Sequence, residues 1–180
     1  LLLALFAFLL ACQPTDQSSD QALGSRELPA PQDTSSLYTI GFYNVENLFD
    51  TVDTPGKHDE DFTPEGELHW NTQRYRDKQR KIAEVIDRMT ENTADPDGPE
   101  ILGLAEVENR QVLEDLIRQK AIAADDYQIL HEESPDERGI DVALLYQSDI
   151  TVAAEPRFQT HAIDFPSDPR DETREILLVE

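Results

Sequence analysis

The chain has 180 residues, enough for one domain with a sizeable core, and its hydrophobic content of 38% is low for a globular protein. Its 38 Asp and Glu residues against 15 Lys and Arg give a formal net charge of −23, which repels nucleic acid and argues against a tight, non-specific DNA-binding protein. This charge does not exclude a nuclease, because metal ions can supply a local positive potential.

The N-terminus has the pattern of an exported protein. Residues 1–11 are all apolar, which is too short to span a bilayer but suits the hydrophobic region of a signal peptide. Neither an initiator Met nor a basic segment precedes them, so we expect a signal peptide that is truncated at its start. The sole cysteine follows as Cys12, in the order Leu9-Leu10-Ala11-Cys12.

This tetrapeptide resembles the bacterial lipobox. The resemblance implies cleavage before Cys12, lipid attachment to it, and anchoring of the exported protein to the cell envelope. Gln13 favours the outer membrane if the cell is Gram-negative. The alternative is an inert, buried Cys12 in an ordinary N-terminal segment. Residues 13–36 are rich in Gln, Ser, Asp and Pro, so we expect residues 12–36 to form a flexible tether.

The pattern of apolar residues predicts one folded domain over residues 37–180, in which strands and helices mix. We expect strands at residues 37–43, 101–105, 127–131 and 140–146, helices at residues 71–90 and 109–121, and an apolar segment at residues 176–179. The last of the four strands is nearly continuously apolar, which predicts burial on both faces. This arrangement favours a two-layer or sandwich α/β domain over a helix bundle.

The first helix has the clearest pattern. Asn71 or Thr72 can cap its start. Its apolar stripe, at three- and four-residue spacing, consists of Tyr75, Lys78, Ile82, Ile86 and Met89. Within this stripe we expect the lysine to contribute only its aliphatic stem.

A long acidic loop is predicted at residues 47–70, with Pro and Gly as breakers. Loops of this length in compact domains are usually functional or mobile. Calcium binding is an alternative role for its carboxylates, although the spacing of an EF-hand is absent.

Polar side chains follow two of the predicted strands. Asn44 and Glu46 come directly after the first strand, and Glu106 follows the strand at residues 101–105. Because residues two apart in an extended strand point to the same face, Asn44 and Glu46 are expected to project together. The pattern predicts a divalent-metal or phosphate site. The alternative is that these strands simply end in solvent, where acidic residues are common.

A third group precedes the strand at residues 140–146. Arg138 is followed by Gly139, which lets the backbone approach a ligand closely. A guanidinium suits a phosphate oxygen. A plain structural ion pair is equally compatible with the sequence, and Asp141 is expected to pair with Arg138 or with a backbone donor.

Three blocks occur in this order: residues 42–50, 103–109 and 138–146. Together they resemble the endonuclease/exonuclease/phosphatase superfamily, the DNase I-like fold, in its bacterial secreted branch. The resemblance covers residues 37–180. It implies part of a four-layer α/β/β/α sandwich whose C-terminal half is missing.

The resemblance also implies a function. The family hydrolyses phosphate esters with Mg²⁺ or Mn²⁺ through in-line attack by water, so we expect a metal-dependent phosphodiesterase or nuclease-type hydrolase. Glu106 matches the metal-binding Glu, Asn44 matches an Asn that binds metal or phosphate, and Glu46 lies near the metal. Arg138 occupies a position compatible with a contact to the substrate phosphate. Glu108 and Asn109 are expected only to shape the turn into the second helix, which Asn109 caps.

The resemblance leaves the substrate open between nucleic acid, phospholipid and small phosphodiesters. The expected contacts of the protein are this substrate and, through the lipid anchor, the membrane, with no protein partner. The family's later blocks, which carry a catalytic Asp/Asn and His, are not found here. We expect the four His residues to be surface or turn residues: His58, His69, His131 and His161. We also expect the 180-residue fragment to be inactive alone.

Two other functions remain open. One is a non-catalytic surface lipoprotein that uses the same fold for binding. The other is an acidic, cation-binding tethered domain, which requires the three blocks to be coincidental.

Overall fold

The structure, a computed structural model, describes residues 38–93, 98–150, 157–159 and 176–179. The predicted signal peptide and tether, with Cys12, lie outside the described residues, as does His161. Within the described ranges, no helix has the length and apolarity needed to cross a membrane.

The described residues form a mixed α/β unit, as the sequence predicted. In chain order the elements are β1 (Ile40–Leu48), a short 3-10 helix (Glu60–Phe62), α1 (Thr72–Arg88), β2 (Ile101–Val107), α2 (Arg110–Ile117), β3 (Tyr127–His131), β4 (Asp141–Gln147), β5 (Arg157–Gln159) and β6 (Ile176–Leu178). Four strands form one sheet in the order β1-β2-β4-β3. β1 and β2 are parallel, whereas β4 is antiparallel to both β2 and β3. β5 and β6 pair with each other as an antiparallel ribbon.

Both helices begin at the asparagine that the sequence indicated. The side chain of Asn71 accepts hydrogen bonds from the backbone N–H groups of Gln73 and Arg74. The side chain of Asn109 accepts one from Val112. Each cap satisfies N–H groups that have no partner inside the helix, which typically stabilises a helix by about 1 kcal/mol. The second helix ends at Ile117, four residues before its predicted end, and continues as turns.

The first strand is longer than predicted. It ends at Leu48 rather than at residue 43, because it continues to pair with β2 beyond an irregularity. Asn44 pairs with Ala105 and Leu48 pairs with Val107, so three residues of β1 lie opposite one residue of β2. A single-sequence pattern cannot show this bulge, since it is set by the partner strand.

The helices cover one face of the sheet and form the core with it. Its fully buried side chains come from α1, α2, β2 and β4, and include Ile86, Leu113, Leu116, Leu102, Leu104 and Leu145. Each such side chain contributes about 1.5–3 kcal/mol through burial. This face holds β1 and β2 in register, and therefore fixes where their carboxyl ends meet.

The opposite face of the sheet is apolar but less covered. Phe42 is 71% exposed, and Val142 and Leu144 are only half-buried. The latter two line a cavity of about 680 Å³ together with residues of β6. Among the described residues, the strand predicted to be buried on both faces is only half-buried on this face, while Ala143 and Leu145 on the helix side are buried.

Candidate active site

The parallel pairing of β1 and β2 brings Asn44 to Glu106. The carboxyl ends of parallel strands lie at the same edge of a sheet, and Asn44 is the register partner of Ala105. The side-chain amide Nδ2 of Asn44 donates a hydrogen bond of 3.0 Å to Oε1 of Glu106. Two residues 62 positions apart in sequence thus share one contact at the sheet edge. In this contact Asn44 orients the Glu106 carboxylate.

Glu46 lies beside Asn44, but not for the reason that the sequence suggested. The alternation of a regular strand is lost here, because Glu46 has φ of +56° and Asn47 has φ of +63°. The backbone N–H of Glu46 turns back to Oδ1 of Asn44, at 2.8 Å. Glu106 also lies in the left-handed region, with φ of +66°. This conformation costs non-glycine residues about 1–2 kcal/mol each, and such strain clusters at functional sites.

Lys78 of α1 contacts the backbone of this site from the helix side of the sheet. Its Nζ donates to the carbonyl oxygens of Glu46 and, at 3.0 Å, of Asn47. Burial lowers the pKa of Lys78, while the negative charges of Glu46 and Glu106 act on it in the opposite direction. The negative charges of both carboxylates thus act on one ammonium group. The sequence interpretation gave the stem of Lys78 a packing role, and the sequence carries no signal for the contacts of its ammonium group, which a lysine in an apolar stripe usually keeps in water.

An aromatic cluster packs the acidic loop against this edge of the sheet. The indole Nε1 of Trp70 donates a 3.1 Å hydrogen bond to the carbonyl oxygen of Phe49. Phe62 stacks on Phe49 at a centroid distance of 4.1 Å and meets Trp70 edge-on at 6.1 Å. Lys78 Nζ lies 5.7 Å from the centroid of the Trp70 ring. The predicted long loop is thus packed at both of its ends.

Glu108 is a second, buried carboxyl group of the same region. Its Oε2 accepts a 2.5 Å hydrogen bond from the backbone N–H of Asp50, and its Oε1 accepts one of 3.2 Å from the hydroxyl of Thr54. Burial raises the pKa of Glu108 to about 7, and the charges of Asp50 and Asp59 add to this rise. Asn109 also donates to Asp50, at 3.2 Å. Glu108 therefore links the acidic loop to the turn between β2 and α2.

Glu108 gives the fold a pH dependence with a defined sign. Because its pKa is raised from 4.5 to about 7, the folded state binds the proton more tightly than the unfolded state. The contribution of Glu108 to stability is therefore greatest below pH 4.5 and falls as the pH rises to about 7, by at most about 3 kcal/mol. We expect Glu108→Gln to flatten this part of the profile. Guanidinium unfolding of both proteins between pH 4.5 and 8 measures it, and parallel profiles would contradict the assignment.

Arg138 makes an ion pair within its own loop. Its guanidinium lies 3.3 Å (Nη2 to Oδ2) and 3.4 Å (Nε to Oδ1) from the carboxylate of Asp136, and its backbone N–H donates to the same carboxylate at 2.9 Å. The Arg138 side chain is 53% exposed. Asp136, in contrast, is only 6% exposed, so breaking this ion pair would leave a buried carboxylate without its guanidinium partner, which is costly.

Asp141 is paired with His131 rather than with Arg138. Its Oδ2 lies 2.9 Å from Nε2 of His131, and its Oδ1 accepts a 2.8 Å hydrogen bond from the backbone N–H of Ser134. The expectation of a backbone donor for Asp141 is confirmed. The expectation that His131 is a surface or turn residue is wrong, because it ends β3 and its side chain is 3% exposed. His58 and His69 are exposed as expected.

His131, Asp141 and the exposed Glu133 place their donor atoms within 4.8 Å of one another. Both oxygens of Asp141 already accept hydrogen bonds. We therefore interpret this group as a clamp that ties residues 131–134 to β4.

Comparison with protein families decides the identity of the domain. A family model described as the Endonuclease/Exonuclease/phosphatase family matches residues 39–180. The chain belongs to the endonuclease/exonuclease/phosphatase family. This match confirms the family inferred from the three sequence blocks. Members of the family are phosphoesterases and are usually metal-dependent. No curated protein and no solved structure matches the chain significantly.

The site residues fit the kind of metal that the endonuclease/exonuclease/phosphatase family uses. Mg²⁺ is held by hard oxygen ligands, commonly one or two carboxylates together with water and substrate phosphate. Glu46 and Glu106 supply two carboxylates at one partly exposed edge of the sheet, and Asn44 orients one of them. The donor chemistry therefore suits Mg²⁺ or Mn²⁺.

Proposed function

We propose that this protein is a divalent-metal-dependent phosphodiesterase or nuclease-type hydrolase that cleaves phosphate esters by attack of water on phosphorus. The observation that carries the proposal is the Asn44–Glu106 contact at the carboxyl ends of β1 and β2. It occurs in a chain that belongs to a family of phosphoesterases.

In this proposal Glu106 and Glu46 hold Mg²⁺ or Mn²⁺, and Asn44 keeps Glu106 oriented toward it. When bound, the metal supplies Lewis-acid chemistry, polarising a phosphoryl oxygen and stabilising the leaving oxyanion. Arg138 keeps Asp136 as its partner, and its half-exposed guanidinium also contacts a substrate phosphate oxygen. The position of Arg138 supports this role, because its loop leads into β4, whose first residue is the register partner of Val107, next to Glu106.

The substrate is proposed as a phosphodiester with an accessible phosphate. The formal charge of −23 opposes long nucleic acid at a distance, and local attraction then depends on the metal and on Arg138. Phospholipid head groups and small phosphodiesters avoid much of this repulsion.

We also propose the complete DNase I-like architecture for this domain, with a second sheet packed on the face that carries Phe42. Its support is the exposure of Phe42 (71%) and Ile40 (72%) on the side of the sheet away from the helices. Large apolar patches of this kind are usually covered in the functional protein.

On the sequence alone we propose that the protein is exported and anchored to the cell envelope by lipid on Cys12, with residues 12–36 as a tether. Membrane fractionation of wild type and Cys12→Ser tests this. A soluble wild-type protein, or a membrane-bound variant, would contradict it.

The function is tested by incubating the full-length protein with bis(p-nitrophenyl) phosphate, DNA, RNA and phospholipid. We expect hydrolysis with Mg²⁺ or Mn²⁺, loss of it with EDTA, and recovery when metal is added back. Metal binding without hydrolysis of any of these would favour the non-catalytic lipoprotein instead.

A further inference from the structure

We infer that Lys78 is a positioning residue for the proposed metal site: its ammonium holds the backbone turn at Glu46 and Asn47, so that the Glu46 and Glu106 carboxylates face the same point. This inference rests on the proposed function, because it concerns the ligands of that site. Lys78 contacts the backbone beside the ligands and reaches the metal only through them.

The backbone turn needs an external partner. Glu46 and Asn47 both have positive φ, so the regular β1–β2 ladder is interrupted here and their carbonyl oxygens turn toward α1. Both oxygens accept hydrogen bonds from the same Lys78 Nζ. Two consecutive residues in this strained conformation persist only when their surroundings fix them. The ammonium supplies both donors.

The position of the ammonium is itself fixed. Nζ lies 5.7 Å from the centroid of the Trp70 ring, and Trp70 is held by its hydrogen bond to the carbonyl oxygen of Phe49. The guanidinium of Arg74 shares this ring, with Cζ at 5.4 Å. Lys78 thus connects the face of a packed aromatic side chain to the turn that carries Glu46.

Two effects of Lys78 on metal affinity oppose each other. Its positive charge repels a divalent cation, whereas its hydrogen bonds arrange the ligands. The site lies at a partly exposed edge, where water and salt weaken the repulsion between cations. Partners that orient metal ligands typically change metal affinity by 10- to 100-fold. The positioning effect therefore dominates.

The test compares Lys78→Met, Lys78→Arg and Lys78→Gln with Lys81→Met in the full-length protein. Lys81 is an exposed lysine of the same helix and serves as the matched control. Calorimetric titration with Mg²⁺ and with Mn²⁺ gives the affinity, at a temperature where circular dichroism shows each variant folded. We expect Lys78→Met to bind about tenfold more weakly, Lys78→Arg within about threefold of wild type, and Lys81→Met unchanged.

Trp70 is the sole tryptophan of the chain, so its emission provides a second measurement. Metal binding in the wild type should change Trp70 emission through Lys78, and saturating metal should change it less in Lys78→Met. A residue with a merely structural role would lower the melting temperature without altering this response. If Lys78→Met does not fold, Lys78→Gln keeps an uncharged N–H donor group and is expected to show an intermediate affinity.

Unchanged affinity in Lys78→Met overturns the inference, and tighter binding overturns it by showing that the charge of Lys78 competes with the metal. A wild-type protein that binds neither metal removes the proposed metal site itself, and the inference with it. The wild-type titration thus tests the proposed function, and the difference between variants tests Lys78.

Discussion

Replacing Glu106 by Gln is expected to lower the turnover number of the full-length protein for a phosphodiester at least about 100-fold, which corresponds to about 3 kcal/mol of transition-state stabilisation. The amide keeps the size of the side chain and can still accept the hydrogen bond from Asn44 Nδ2. It removes the negative charge that the proposed metal requires. Steady-state kinetics with bis(p-nitrophenyl) phosphate and Mg²⁺ measure the change, and calorimetry is expected to show weaker metal binding.

A suitable control is Glu84→Gln, which removes an equal charge from the exposed face of α1. Glu84 pairs with Arg80 across one helical turn, at 2.8 Å, and such exposed pairs contribute little. We expect its kinetics to match the wild type. Turnover of Glu106→Gln close to that of the wild type would remove Glu106 from the metal site.

Truncating the buried pair formed by Asp141 and His131 is expected to be the most destabilising change outside the apolar core. Asp141→Ala leaves His131 and the N–H of Ser134 without their acceptors, in a place where their side chains are almost fully buried. Removing one partner of a buried pair typically costs 3–5 kcal/mol, because the other remains desolvated and unpaired. Urea unfolding of the wild type, of Asp141→Ala, of His131→Ala and of the double variant gives the coupling energy between the two side chains.

Asp141→Asn retains an oxygen for the N–H of Ser134 and should lose less stability than Asp141→Ala. Arg80→Ala, at an exposed ion pair, should change stability by no more than about 0.5 kcal/mol. A loss below about 1 kcal/mol in Asp141→Ala, or strictly additive losses in the double variant, would show that the pair does not clamp the loop to β4.

The features predicted well from the sequence depend on local chemistry. Asn71 and Asn109 cap their helices because an Asn side chain can reach N–H groups two or three residues ahead, whatever the rest of the fold does. The strands and helices of the described residues appear where apolar periodicity placed them, with shifted ends. The family could be inferred because three blocks with specific residues occur in one order.

The features that were missed depend on partners distant in sequence. The left-handed turn at Glu46 exists because β1 continues to pair with β2, some 60 residues away, and because Lys78 supplies its donors. His131 was assigned to the surface, but the antiparallel register of β3 and β4 places it opposite Ala143, within reach of Asp141. For Arg138 the sequence left two partners open, and the structure contains the ion pair with Asp136.

The contact between Asn44 and Glu106 also constrains the order in which the protein becomes functional. It joins residues of two parallel strands, which can pair only after the intervening helix α1 has crossed over, so the proposed metal site is absent from any partly folded chain that lacks this crossover. A slip of one residue in the β1–β2 register would turn Asn44 to the helix side and separate the ligands. A cation bound at the proposed site would therefore stabilise only the correctly registered sheet, and in this way would select against misfolded pairings as the protein matures.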